Sequence, residues 1–99
     1  PPPAVDELIQ QAEDLKEEDK TSFEEIRKLY QMILILKPDS RRFHKELGML
    51  YLDREKRSMA ICHLGIAASL TDNPSEKKAL EDLTQRLGLE IQIQQVPFP

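Results

Sequence analysis

Apolar residues in this chain recur at intervals of three and four, in five stretches separated by short polar links. That spacing points to five helices packed as antiparallel neighbours. In the first stretch Val5, Leu8, Ile9, Ala12 and Leu15 fall on one stripe, and Asp6 and Glu7 suit a helix start, where the dipole favours anions. The run Lys16-Glu17-Glu18-Asp19-Lys20 ends that stripe. A second helix begins near Thr21 or Ser22, since Thr21 with Glu24 and Ser22 with Glu25 both have capping-box spacing. Its broad face is Phe23, Ile26, Leu29, Tyr30, Ile33 and Leu36. Met32, Leu34 and Ile35 widen it, which predicts burial on several sides. Lys37 precedes Pro38 and is steered out of the helical region, so the helix stops there.

Asp39 or Ser40 can cap a third helix carrying Phe43, Leu47, Leu50 and Tyr51, with Gly48 inside it. Glycine weakens a helix by roughly 0.5–1 kcal/mol relative to alanine, so a close helix–helix approach is the natural reason for it. Asp53-Arg54-Glu55-Lys56-Arg57 reads as a turn. A fourth helix then runs from about Ser58 to Leu70, with Ala60, Ile61, Leu64, Ala67 and Ala68 inward. Asn73, Pro74 and Glu76 mark the next start: a good cap, a proline suited to the first helical position, and an acid three residues after the cap. This fifth helix, 74–88, carries Ala79, Leu80, Leu83 and Leu87, with Gly88 as its stop. Residues 90–99 alternate Ile91 and Ile93 with polar neighbours and end in prolines, which predicts an extended tail. Pro1, Pro2 and Pro3 predict an extended leader over 1–4.

The chain has 99 residues, enough for one domain with a core of its own. Its 39% hydrophobic and 32% charged residues fit a globular helical protein and exclude a disordered tail. One cysteine, Cys62, cannot form an internal disulfide, so the expected setting is intracellular, in the cytoplasm. No apolar run is long enough to span a membrane. The start at Pro1 suggests a piece of a longer protein.

The net charge of −4 is unevenly spread: −5 over residues 1–36, +3 over 37–63 and −2 over 64–99. The acidic total argues against nucleic acid as the partner. The basic middle, with Arg41, Arg42, Lys45, Arg54, Lys56 and Arg57, argues for a carboxylate-bearing contact. That middle lacks the interleaved aromatics of a nucleic-acid platform and the amphipathic basic helix of a membrane-surface anchor.

Residues 41–74 resemble a tetratricopeptide repeat of 34 residues. Leu47-Gly48 and Tyr51 hold that family's first-helix places, and Ala60, Leu64 and Ala67 its second-helix places. His44 stands where a tryptophan is usual, with Phe43 beside it. Asp72 stands at the proline place, with Pro74 two later. In the preceding stretch Phe23, Ile26, Tyr30, Ile33 and Pro38 match the second helix of such a unit. Leu8, Ala12 and Leu15 match the first if the turn has two extra residues. The resemblance implies an all-α domain over 5–89. It would comprise two antiparallel helix pairs, about 5–40 and 41–74, in a right-handed superhelical stack, with 74–88 as a closing helix over the exposed end.

The same resemblance implies a concave groove lined by the first helix of each pair. Carried over by position, its residues are Arg42, Lys45, Met49, Leu52 and Asp53, with Asp6, Ile9, Glu13 and Lys16 on the first helix. Arg42 and Lys45 share a helix face and can meet a carboxylate or phosphate; the plainer alternative is a solvated charged face. Met49 and Leu52 lie off the packing stripe, where apolar residues look for a partner. An asparagine used by relatives that grip acidic tails is Met49 here, which speaks against that activity.

No chemistry competes with a binding role. Cys62 and His63 are adjacent and diverge by about 100° on a helix, so with His44 they predict ordinary packing and no metal site. Carboxylates are spread along helix surfaces and no glycine-rich phosphate loop exists, so neither catalysis nor a cofactor is expected. The expectation is a non-catalytic adaptor or scaffold that binds a peptide or helix of a partner protein. Alternatives are an assembly element that pairs with a second copy or a larger array, and an accessory domain of an enzyme. The tail could dock in the groove, bind a neighbouring copy or serve as a linker.

Overall fold

The computed structural model describes residues 4–18 and 22–97, and over these the chain forms five α-helices: α1 Val5–Lys16, α2 Phe23–Leu36, α3 Arg41–Asp53, α4 Arg57–Leu70 and α5 Pro74–Gln94. Three of the starts are capped by side chains. Ser22 Oγ accepts from the Glu25 N–H at 3.2 Å, and Ser40 Oγ accepts from the Phe43 N–H at 3.2 Å. Asn73 Oδ1 accepts from the N–H groups of Ser75 and Glu76 at 2.9 and 3.2 Å, with Pro74 in the first helical position. Each bond satisfies an amide that the helix itself leaves without a partner. Thr21, the alternative cap for α2, and the leader prolines lie outside the described residues.

The α3–α4 turn is tighter than the charged run suggests. Lys56 N–H bonds Tyr51 C=O and Glu55 N–H bonds Leu52 C=O, both at 2.9 Å. This is the Schellman pattern, and it needs a left-handed residue just past the helix. Glu55 takes that place at φ 56°, although glycine adopts it at much lower cost.

Each helix packs on its neighbours in sequence, so α4 lies between α3 and α5 and the molecule is elongated, 56 × 33 × 22 Å. A single core runs through it. Leu8, Tyr30, Ile33, Leu47, Leu64 and Leu87 are the largest fully buried side chains. Two aromatic pairs form the α2–α3 seam, Phe23 with Tyr51 at 5.9 Å and Tyr30 with Phe43 at 5.6 Å. Their crossed order is what an antiparallel pair requires. On the other side of α3, Gly48 lets the backbone close on α4. A Cβ there would stand 2.7 Å from Leu64 Cγ.

Three expectations are corrected. The segment 90–94 is helical, not extended, and Gly88 does not stop α5. No glycine has positive φ, and packing continues past position 88. Ile91 is half-buried one turn after the buried Leu87, and Glu90 Oε2 accepts from Arg57 Nε at 2.9 Å. Tertiary contact therefore outweighs the glycine's weak propensity.

The second correction concerns α2, which is buried on one side only. Leu34 is buried, but Met32 and Leu36 are exposed and Ile35 is 78% exposed. The third is that Cys62 and Ala79 face solvent and are not packed inward.

Candidate functional site

The face of α3 turned away from α4 carries Arg42, Lys45, Glu46, Met49 and Asp53, at the three-and-four spacing that aligns side chains along a helix. Two shallow recesses open along it. Arg41, Arg42, Lys45, Glu46, Met49 and Glu76 line the first, of about 280 Å³. The second, of about 300 Å³, is lined by Lys16, Tyr30, Glu46, Met49, Asp53 and neighbours from α1 and α2. Glu46 and Met49 belong to both, so the recesses form one continuous surface.

Ion pairs bridge this surface to the helices on either side. Glu13 of α1 takes Arg42 at 2.8 Å, and Lys16 of α1 bonds Glu46. Tyr30 Oη of α2 donates to the same Glu46 at 3.2 Å. From α5, Glu76 takes Arg41 at 3.2 Å and Lys45 at 4.0 Å. Burial alone would lower the Lys16 pKa, but its bonds to Glu46 and Tyr30 outweigh that and hold the ammonium above its ordinary value. Burial raises the Tyr30 phenol, which therefore stays protonated and a donor at neutral pH.

The pairs involving Arg42 and Lys45 are about half exposed. Such pairs contribute roughly 0–1 kcal/mol each, so a partner's carboxylate can exchange with Glu13 or Glu76 at little cost. Glu76 serves two cations, and the cluster of Arg41, Arg42, Lys45, Glu13 and Glu76 keeps one positive charge in excess. Beside it Met49 remains 39% exposed. An excess cation next to an accessible thioether can hold an acidic group and an apolar side chain together.

Of the nine groove residues singled out in the sequence, only some reach the recesses. Arg42, Lys45 and Met49 line the first recess, and Lys16, Met49 and Asp53 the second. Glu13 lines neither but anchors Arg42. Ile9 and Leu52 do not reach the surface cleft; both are half-buried and packed against the core. Asp6, in the first turn of α1, is exposed and lines neither recess.

Sequence reasoning placed Arg41 in the basic middle but not in the groove, and it missed Glu46, Tyr30 and Glu76. Glu46 was open to inference, lying four residues after Arg42 and three before Met49. Glu76 was not, because only the path of the chain brings the start of α5 back to the start of α3.

Among the described residues no group of three metal-ligating side chains converges, and no helix is long and apolar enough to cross a membrane. His44 and His63 meet each other away from the recesses, while Cys62 faces solvent. Comparison with family models, with curated proteins and with solved structures finds no match for this chain.

Proposed function

We propose that this chain is a non-catalytic protein-interaction module. It would consist of two tetratricopeptide-like helix pairs closed by α5 in a right-handed stack, receiving a peptide or helix of a partner protein along α3 and α1. The observation that carries the reading is the continuous pair of recesses meeting at Met49 and Glu46, lined by residues from four of the five helices. The partner segment places an apolar side chain on Met49 and a carboxylate near Arg41, Arg42 and Lys45. The lining side chains are already held by ion pairs, so the module loses little freedom on binding.

The test is capture of partners by the parent chain beside Met49→Glu and Arg42→Glu/Lys45→Glu. A partner retained by the parent and released by both folded variants supports the groove. Equal retention by all three moves the contact to another face.

A second reading, an assembly element, is favoured by one feature. Leu89, Ile93 and Val96 lie at helical spacing near the end of α5 and are 53, 71 and 64% exposed. Sedimentation of the parent against Ile93→Glu separates the two readings. A mass that falls to monomer only in the variant supports assembly, and monomers in both remove it.

A further inference from the structure

The recesses leave out the chain's two histidines, which form a partly buried contact of their own. His44 in α3 is 7% exposed, and its Nε2 lies 2.8 Å from the carbonyl oxygen of Pro38, in the link between α2 and α3. A carbonyl can only accept, so His44 Nε2 carries a proton and donates it. That leaves His44 Nδ1 with a lone pair, 3.2 Å from His63 Nδ1 of α4. One proton, supplied by His63, fits between them.

The two ring centroids lie 5.5 Å apart with their planes 24° apart, and the Tyr51 ring of α3 lies near-parallel to His63 at 5.8 Å. The Tyr51 hydroxyl accepts from Gln31 of α2, whose own carbonyl accepts from Arg27, itself paired to Glu24. Arg57, on the same helix as His63, is turned to Glu90 of α5. Among the described residues no carboxylate pairs with either ring. Burial first, and then the neighbouring His44, push the His63 imidazole below its ordinary range.

We propose that the His44–His63 pair is an acid-sensitive latch: it ties the α2–α3 link to the α3–α4 hairpin and accepts one added proton where the unfolded chain accepts two. The first added proton goes to His63 Nε2, while the shared proton moves across to His44 Nδ1. His63 Nδ1 becomes the acceptor and the bond persists. A second added proton would have to sit on His63 Nδ1, facing an N–H of a cationic ring, and the bond breaks. The unfolded histidines titrate near pH 6.5. Above that value both states are neutral and the latch is complete. Below it the unfolded chain binds more protons, so stability falls with falling pH, by at most about tenfold in the folding constant per pH unit for one missing proton.

The experiment is urea denaturation of the chain between pH 5 and pH 8 beside His63→Gln, with imidazole NMR titration of the parent. Glutamine can donate to His44 Nδ1 or, turned over, accept from it, and it does not titrate. The folding constant of the parent should fall below about pH 6.5 while the variant stays flatter, because carboxylates titrate lower, near pH 4. The parent's spectra should show one proton taken up by the two rings before unfolding begins. Equal pH slopes for parent and variant, or two independent full titrations in the folded parent, would overturn the proposal. The NMR arm decides the matter even if the variant does not fold.

Discussion

Replacing Gly48 by alanine should destabilise the protein, although alanine is the better helix former. In an open stretch of helix the change gains about 1 kcal/mol. Here the new Cβ would lie 2.7 Å from Leu64 Cγ, 2.8 Å from its Cδ2 and 3.2 Å from its backbone nitrogen. Carbon atoms in favourable contact stand about 3.5–4.0 Å apart, so roughly 1 Å of separation is missing. Leu64 is fully buried, and its branch carbon, not a free tip, blocks the site. The backbone nitrogen behind it resists a simple rotation. Either α3 and α4 part or Leu64 leaves its rotamer, and overpacking of that kind costs roughly 1–3 kcal/mol, occasionally more.

Set against the propensity gain, the net loss is about 0–2 kcal/mol, or a fall in Tm of up to roughly 15 °C for a domain of this size. Circular dichroism melts and urea titrations at neutral pH measure it. Gly65→Ala and Gly88→Ala are the controls. Both positions are helical, and a Cβ at either meets nothing within 4 Å, so each should gain about 0.5–1 kcal/mol. If Gly48→Ala matched the gain of Gly65→Ala, the close approach of α3 and α4 through Gly48 would be wrong.

Glu55→Gly should stabilise the chain by about 1 kcal/mol, because it removes the strain of a left-handed non-glycine residue against a smaller loss of chain entropy; an unchanged Tm would argue that this turn is not left-handed. Asn73→Ala should cost about 1 kcal/mol by leaving two amides at the start of α5 without their acceptor. The double change Arg42→Glu/Lys45→Glu should lower stability by only about 1–2 kcal/mol and keep the helical spectrum, since the pairs it breaks are half exposed. A global loss of structure would make those residues part of the scaffold. A chain ended at Leu89 loses the Arg57–Glu90 pair and the partial burial of Ile91, and its stability should fall by about 1–2 kcal/mol; an unchanged melt would show that the last turns of α5 add nothing.

On the proposed reading, the ion pairs at the candidate site also bear on how a partner would be chosen. Arg41 and Lys45 share Glu76 on α5, so the charge offered to a partner depends on where the start of α5 sits. A change at Glu76 therefore alters the site without touching α3, and Glu76→Gln should sharpen any preference for acidic segments.

The five helices were legible in the sequence because their information is local. Apolar spacing, Ser22 and Ser40 as caps, Asn73-Pro74 at a start and Lys37-Pro38 at a stop each act within a turn or two of backbone. Gly48 was legible too, as a glycine whose cost in a helix calls for a close neighbour. The end of α5 was not. Gly88 carries a local stop signal, and the burial of Leu87, the Arg57–Glu90 bond and the partial burial of Ile91 override it. Nor could the sequence say which of the many apolar residues on α2 stay exposed, since Ile35 and Leu34 differ only in the side of the helix that meets a neighbour.

For the candidate site, spacing put Arg42 and Lys45 on one helix face, and Met49 was added by its position in the repeat resemblance. Its partners Glu13, Lys16, Tyr30 and Glu76 come from other helices, and which of them meet is decided by how the helices are placed against one another. The same holds for His44 and His63, nineteen residues apart in the chain and 3.2 Å apart in the fold. Backbone periodicity is encoded within a few residues; the pairing of side chains from different helices is set only when the core closes.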